Sequence, residues 1–171
     1  DKPLAVTLAT VDSLGRPSAR MVLLKGHDSG GFTFYTNLNS RKGRDLVVNP
    51  NAALCFYWEV FGRQVRVEGQ VSIVNSLEAN LYFRSRPRDS QISAWASRQS
   101  DVLDDFKTLE KNVEIYNKKF SIGEVSRPKF WSGFKLVPRN IEFWQQRPSR
   151  LHQRLLFQAT ENGWNRKWLF P

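Results

Sequence analysis

GFTFYTNLNSRKGRDLVVN, residues 31–49, reads as a strand, a turn and a short helix, and it sets two cations where a helix favours anions. The pattern predicts a strand from Phe32 to Asn37, Ser40 as N-cap, and a helix from Arg41 to Val48 that Asn49-Pro50 stops. Arg41 and Lys42 in the first turn oppose the positive end of the helix dipole, at a cost of about 0.3–1 kcal/mol that a bound anion would remove. Unpaired backbone N–H groups, a hydroxyl and two cations suit a phosphate. The plain alternative is a solvated basic helix start.

Outward from this stretch the chain reads as strands, then helices, then strands. Ala5 to Val11 and Pro17 to Lys25 form a hairpin about Gly15, and a turn over His27 to Gly31 leads into the quoted strand. Ala52 to Trp58 and Gln64 to Ile73 follow, divided by a turn at Gly62. Asn75 and Glu78 have capping-box spacing, with Leu77, Leu81 and Tyr82 as the apolar helix face. A second helix is expected after Asp89 or Ser90. A third runs from about Asp104 to Phe120, burying Phe106, Leu109, Val113, Tyr116 and Phe120, and ends before Gly123 and Pro128. The tail supplies strands at Phe130 to Val137, Ile141 to Gln145, Arg154 to Ala159 and Trp164 to Leu169. These must rejoin the first sheet, so the expected fold is mainly β: an antiparallel barrel with helices packed outside it.

Length sets one domain over residues 1–171. With 40% apolar residues and 12 Phe, 6 Trp and 4 Tyr, the composition is that of a folded core. The lone cysteine, Cys55, sits in an apolar run and suits a buried position in a reducing compartment. Lys and Arg total 26 against 16 Asp and Glu, a net charge of +10, which asks for an anionic partner: nucleic acid, acidic membrane or a phosphorylated small molecule. No apolar run approaches the ~20 residues of a membrane-spanning helix, and no signal peptide opens the sequence, so a soluble cytoplasmic protein is expected. The sequence starts directly on a strand-like segment, and a native N-terminal extension is expected to precede it.

Further constellations repeat the anion theme. If residues 150–154 are extended, the two-residue period puts Arg150, His152 and Arg154 on one face, beside Trp144. Gln64 alternates with Val65 and Val67, so its amide can meet a heterocycle edge. Arg20 and Lys25 bracket another strand, and Tyr82 to Ser90 end a helix in a cluster of cations and hydroxyls, room for a second phosphate. Two histidines and one cysteine give no zinc-ligand spacing, and no nucleophile elbow, Walker A loop or dinucleotide fingerprint is present. Phosphate cradles and stacking aromatics without a metal or nucleophile motif suit redox chemistry on a bound flavin.

RMVLLKG at 20–26, FYTNLNSRKG at 34–43, FYWE at 56–59, RQVRVEG at 63–69, YFRSRPRDSQI at 82–92, and EFWQ followed by RLHQR resemble the pyridoxine/pyridoxamine 5′-phosphate oxidase family, in order through nearly the whole chain. The resemblance implies an FMN-binding split barrel, a homodimer with FMN at the interface. The activity it implies is oxidation of pyridoxamine or pyridoxine 5′-phosphate to pyridoxal 5′-phosphate, with O2 as acceptor and hydrogen peroxide as product. The flavin contacts it implies are Arg20, Met21, Val22, Leu23, Tyr35, Thr36, Arg41, Lys42, Gln64, Gln99, Ser100, Trp144 and Arg154. Implied substrate contacts are Lys25, Tyr82, Arg86, Ser90, Arg150, Leu151 and His152, with Arg150 and His152 as the catalytic pair over the substrate ring.

The sequence departs from the family pattern at Lys2, at Ser132, at Gln146, at Gln153, where an Asp is usual, and at Trp168. A neutral Gln153 cannot balance the charge of Arg150 and Arg154. A second reading is therefore a relative that binds FMN or pyridoxal 5′-phosphate with weak or no oxidase activity. Others are a phenazine-forming type of oxidase, against which the substrate-phosphate residues argue, and a basic barrel that stacks single-stranded nucleic acid on Phe34, Tyr35, Tyr57 and Trp58. Core packing explains those rings better.

Overall fold

The computed structural model describes residues 4–171. Eight strands, β1 (Ala5–Val11), β2 (Pro17–Asp28), β3 (Gly31–Asn37), β4 (Asn51–Trp58), β5 (Arg63–Ile73), β6 (Trp131–Gln145), β7 (Gln153–Thr160) and β8 (Gly163–Leu169), hydrogen-bond in the order β3-β2-β1-β4-β5-β6-β7-β8. β3 also pairs with β6, which closes six of them into an antiparallel ring and leaves β7 and β8 as an extension from β6. Helices are α1 (Arg41–Val48), α2 (Ser76–Ser85), α3 (Arg88–Ala96) and α4 (Phe106–Lys119). None is long and apolar enough to cross a membrane among the described residues. The chain's contacts divide it into two compact units.

The first unit takes residues up to Phe34, Asp45–Ser72 and Phe134–Pro171. Alternation along the strands buries Val6 and Leu8 from β1, Leu54 and Phe56 from β4, Val67 from β5, and Phe134 and Leu136 from β6. The rings of Phe34 and Phe134 meet at 5.9 Å. A buried polar knot accompanies this core: Thr10 Oγ1 donates to Asp45 Oδ2 at 2.7 Å and accepts from Arg20 Nη1 at 2.7 Å.

β6 is a single strand of 15 residues, where the sequence pattern predicts a break near Pro138. Proline supplies no N–H, but β7 pairs with β6 only from Asn140 onward, so the missing donor removes no bond on that side. Close approach comes from glycine. A Cβ on Gly69 would lie 2.0 Å from the Val137 carbonyl oxygen, and one on Gly31 2.1 Å from that of Leu136.

β5, β6 and β7 are also joined by a carboxylate. Glu142 on β6 is 4% exposed, accepts from Arg154 Nε at 2.8 Å and Nη2 at 3.0 Å, and is ion-paired with Arg66 Nη2. The bonds from Arg154 hold the Glu142 carboxyl below its ordinary 4.5, the charge of Arg66 adds to the effect, and burial opposes it.

The second unit takes Tyr35–Arg44 and Ile73–Gly133. Its core is Phe83, Ile92, Val125 and Trp131, with Tyr35, Tyr82, Trp95, Val113, Tyr116 and Phe120 packed around them. Asn75 caps α2 as its spacing predicts, accepting from Glu78 N at 2.8 Å.

Several expectations are corrected. Leu77 and Leu81 are exposed, because α2 turns Ala79 and Phe83 inward instead. Phe106 is exposed at the first position of α4. α3 starts at Arg88, directly after Pro87, and β2 runs on to Asp28, whose carboxylate accepts from Gly30 N at 2.7 Å and tightens the turn. The departure at Lys2 lies outside the described residues.

Gly69→Ala should lower stability by about 1–3 kcal/mol, because the added methyl group would have to displace the Val137 carbonyl. An unchanged urea midpoint would remove the close β5–β6 approach. Glu142 gives a pH signature. A carboxylate depressed in the folded state adds stability above its unfolded pKa and loses it as pH falls through the folded value. The stability gap between wild type and Glu142→Gln should therefore be widest near neutrality and narrow below about pH 4.3. A gap that stays constant on acidification would show that the charge contributes nothing.

Candidate functional site

In the second unit the quoted turn folds as its sequence predicts. Ser40 is fully buried, donates from Oγ to the Asn37 carbonyl at 2.7 Å and accepts from Gly43 N at 3.3 Å. Gly43 is required there, since a Cβ would sit 2.2 Å from the Leu38 carbonyl oxygen. The two cations part company. Arg41 is exposed, whereas Lys42 is buried and its Nζ donates to Gln99 Oε1 at 3.0 Å, Ser40 Oγ at 3.1 Å and Thr36 Oγ1 at 3.2 Å. Three residues named from sequence, Thr36, Lys42 and Gln99, thus meet at one point. The dipole conflict at Lys42 is relieved by protein oxygens. Ser100, next to Gln99, is exposed with φ of 77°, a conformation non-glycine residues seldom adopt.

Beside this cluster, Tyr35 stacks on Tyr82 at 3.9 Å and on Trp131 at 5.4 Å. Its hydroxyl donates to Glu78 Oε1 at 3.4 Å, and burial, reinforced by the Glu78 charge, pushes the phenol up to about 12, so Tyr35 stays neutral. The Arg86 guanidinium lies over the Trp131 ring at 4.7 Å. Burial pulls Arg86 below its ordinary value, and its Nη1 is buried without a hydrogen-bond partner. A cavity of about 270 Å³ is lined by Arg86, Trp131, Gln99, Asn37, Ser93 and Ser97. Ser90 is half-buried in the first turn of α3.

In the first unit, Arg20, Met21, Val22, Leu23 and Lys25 lie on β2. Arg20 is held by Thr10, by the Leu8 carbonyl at 3.3 Å and by Ser18 Oγ at 2.8 Å, while Met21, Leu23 and Lys25 are exposed. A second cavity, of about 590 Å³, has walls from Trp58, Val65, Phe143, Trp144, Leu155 and Trp168 and polar groups from Arg63, Gln64, Gln145, Arg147 and Gln153. Gln64 and Trp144 were named from sequence. Phe143 carries no site expectation from sequence, Trp58 enters only as a stacking ring of the nucleic-acid reading, and Trp168 only as a departure from the family pattern.

Residues 150–154 do not form one basic face. Pro148–Arg150 is a 3-10 turn in which Ser149 and Arg150 have φ of 56° and 61°, and β7 starts only at Gln153. Arg150 and Leu151 are exposed on the turn. The His152 ring lies 4.7 Å from that of Trp144, and its Nδ1 accepts from the Arg147 backbone N–H at 3.2 Å, which leaves Nε2 as the N–H of a neutral ring. Arg154 turns to Glu142. Gln153 accepts from the Arg147 side chain at 2.9 Å, so the amide serves Arg147, and the counter-charge for Arg154 comes from β6. Glu142 and Arg147 escaped the sequence reading. The available signal was Glu142 itself, a lone carboxylate between apolar strand residues in a chain rich in arginine.

The chain matches the family pattern described as pyridoxamine 5′-phosphate oxidase over residues 1–119 and that of the pyridoxine 5′-phosphate oxidase C-terminal dimerisation region over 131–171. It is 52% identical over 167 residues to a pyridoxine/pyridoxamine 5′-phosphate oxidase of Mesorhizobium japonicum, covering 97% of this chain and 82% of the relative. A Caulobacter vibrioides protein of the same name is also 52% identical, with coverages of 99% and 76%. Among solved structures, PhzG of Burkholderia lata, in complex with tetrahydrophenazine-1-carboxylic acid, superposes with a TM-score of 0.94 at 32% identity, covering 100% of this chain and 84% of PhzG. A Nostoc punctiforme protein described as pyridoxamine 5′-phosphate oxidase-related and FMN-binding shares the fold, with a TM-score of 0.79 at 17% identity and coverages of 99% and 89%. With both patterns matched in order and half of the residues identical along almost the entire length, the chain belongs to the pyridoxamine 5′-phosphate oxidase family.

Proposed function

We propose that this protein is an FMN-dependent oxidase that converts pyridoxamine 5′-phosphate and pyridoxine 5′-phosphate to pyridoxal 5′-phosphate, reducing O2 to hydrogen peroxide; the amine substrate also takes up water and releases ammonia. The observation that carries this reading is the 52% identity to oxidases of that name over 97% of the chain. The donor chemistry fits the cofactor. A flavin nucleotide needs cations and hydroxyls for its phosphate; Arg41 and Lys42 are the cations, and the hydroxyls of Ser40 and Thr36 with the amide of Gln99 lie around Lys42. It needs a flat apolar face and hydrogen-bonding groups at the ring edge, and Trp144, Gln64 and Arg154 supply those. The orphaned Nη1 of Arg86 suits the second phosphate, that of the vitamer.

In this reading Arg20 to Leu23, Tyr35, Thr36, Arg41, Lys42, Gln64, Gln99, Ser100, Trp144 and Arg154 hold FMN. Lys25, Tyr82, Arg86 and Ser90 hold the vitamer phosphate, and Arg150, Leu151 and His152 close over its ring. Bound FMN supplies a two-electron acceptor that O2 regenerates. In this reading the protein's own contribution is to orient the C4′ carbon, with Nε2–H of His152 and the Arg150 guanidinium stabilising charge on the substrate ring as the C–H bond breaks. The match to a C-terminal dimerisation region supports a homodimer with FMN at its interface. Cytoplasmic residence belongs to the same proposal: Cys55 is free, and burial raises its thiol pKa, so nothing in it calls for an oxidising compartment.

The reading of a weak or inactive relative rests on Gln153, Lys2 and Trp168. Gln153 partners Arg147, and Glu142 already balances Arg154, so that one departure gives little support to a loss of turnover. A PhzG-like substrate is disfavoured by 32% identity to PhzG against 52% to the vitamer oxidases.

Purified protein should be yellow and should release hydrogen peroxide with pyridoxamine 5′-phosphate at an ordinary enzymatic rate, on the order of 1 s⁻¹ or faster. A protein that cannot be loaded with FMN would refute the reading. Arg86→Ala should raise KM for the phosphorylated vitamer about 10–100-fold, the loss of a charge-assisted hydrogen bond of about 1.5–3 kcal/mol. An unchanged KM would take the substrate phosphate away from Arg86.

A further inference from the structure

Glu142 has a geometry that packing alone does not require. Its carboxylate, 4% exposed, takes Nε and Nη2 of Arg154 at 2.8 and 3.0 Å and also pairs with Nη2 of Arg66. Arg154 Nη1 donates to the Phe170 carbonyl at 3.0 Å. These bonds use three of the five guanidinium N–H groups, fix the plane of the fork, and leave one N–H on each terminal nitrogen for a further acceptor. Arg66 Nε is buried without a partner. Two guanidiniums share one carboxylate, so the triad keeps one net positive charge.

We propose that Glu142 is a positioning residue for the cofactor: it locks Arg154 in one orientation and cancels half of the triad's positive charge, so that the remaining N–H groups of Arg154 meet the bound flavin already aligned. This rests on the reading above that Arg154 contacts FMN. A guanidinium aligned in advance loses little conformational freedom when the ligand arrives, and ligand residence lengthens accordingly. With a neutral residue at position 142, Arg154 would be free to reorient, and its charge and that of Arg66 would repel.

The test is FMN release from the holoenzyme on dilution, followed by recovery of flavin fluorescence, in wild type, Glu142→Gln, Arg154→Lys and the double variant. Glu142→Gln should speed release about tenfold, a coupling of ordinary size for residues in contact. In the Arg154→Lys background the same substitution should change release less than about twofold, because its effect travels through the fork that lysine lacks. A merely structural role would speed release equally in both backgrounds and would overturn the proposal, as would Glu142→Gln releasing FMN at the wild-type rate while Arg154→Lys releases it faster. Wild-type release from Arg154→Lys would instead overturn the assignment of Arg154 to the flavin, and the proposal with it. Should Glu142→Gln fail to fold, Glu142→Asp, which keeps the charge but withdraws it by one methylene, carries the same comparison.

Discussion

Closure of the sheet depends on one strand that must pair three times. β6 bonds to β3 and β5 within the ring and to β7 beyond it, and its 15 residues let successive parts of one strand serve different neighbours. The tightest point is at the carbonyls of Leu136 and Val137, approached by Gly31 from β3 and Gly69 from β5. Any side chain there would hold the neighbouring strands apart and open the ring. Pro138 follows at once, where the pairing partner is about to change.

Past that point β6 carries residues of the candidate site. Glu142 faces Arg66 and Arg154, while Trp144, two residues on, meets His152. A buried carboxylate flanked by two guanidiniums contributes little net stability as a pair, because desolvation offsets most of the attraction, yet removing one partner leaves a buried charge exposed to its full cost. Such an arrangement fixes orientation more than it adds stability. The second unit works in the same way with neutral partners: Lys42 is held by two hydroxyls and an amide, and Tyr35 by stacked rings.

What could be read from the sequence was local. The bounds of α1 follow from Ser40 and from Asn49-Pro50, and the Asn75 cap follows from its spacing to Glu78, because each signal lies within one turn of the element it ends. The family motifs then carried the fold. Failures came where a distant partner decides. Pro138 reads as a break because its tolerance depends on where β7 begins to pair. Arg150, His152 and Arg154 read as one face because nothing local reveals that Ser149 and Arg150 turn left-handed or that Glu142 captures Arg154. Leu77 and Leu81 read as core because their four-residue spacing matches that of Ala79 and Phe83, which α2 actually buries.

β8 ends the row of strands, and one of its two edges has no strand beside it among the described residues. An open edge is a template on which foreign strands can stack into fibrils. Arg166 and Lys167 stand in the middle of β8, both exposed. A second copy of β8 docking there would bring Arg166 and Lys167 up against like charges, so part of the chain's excess of basic residues opposes strand addition at this edge.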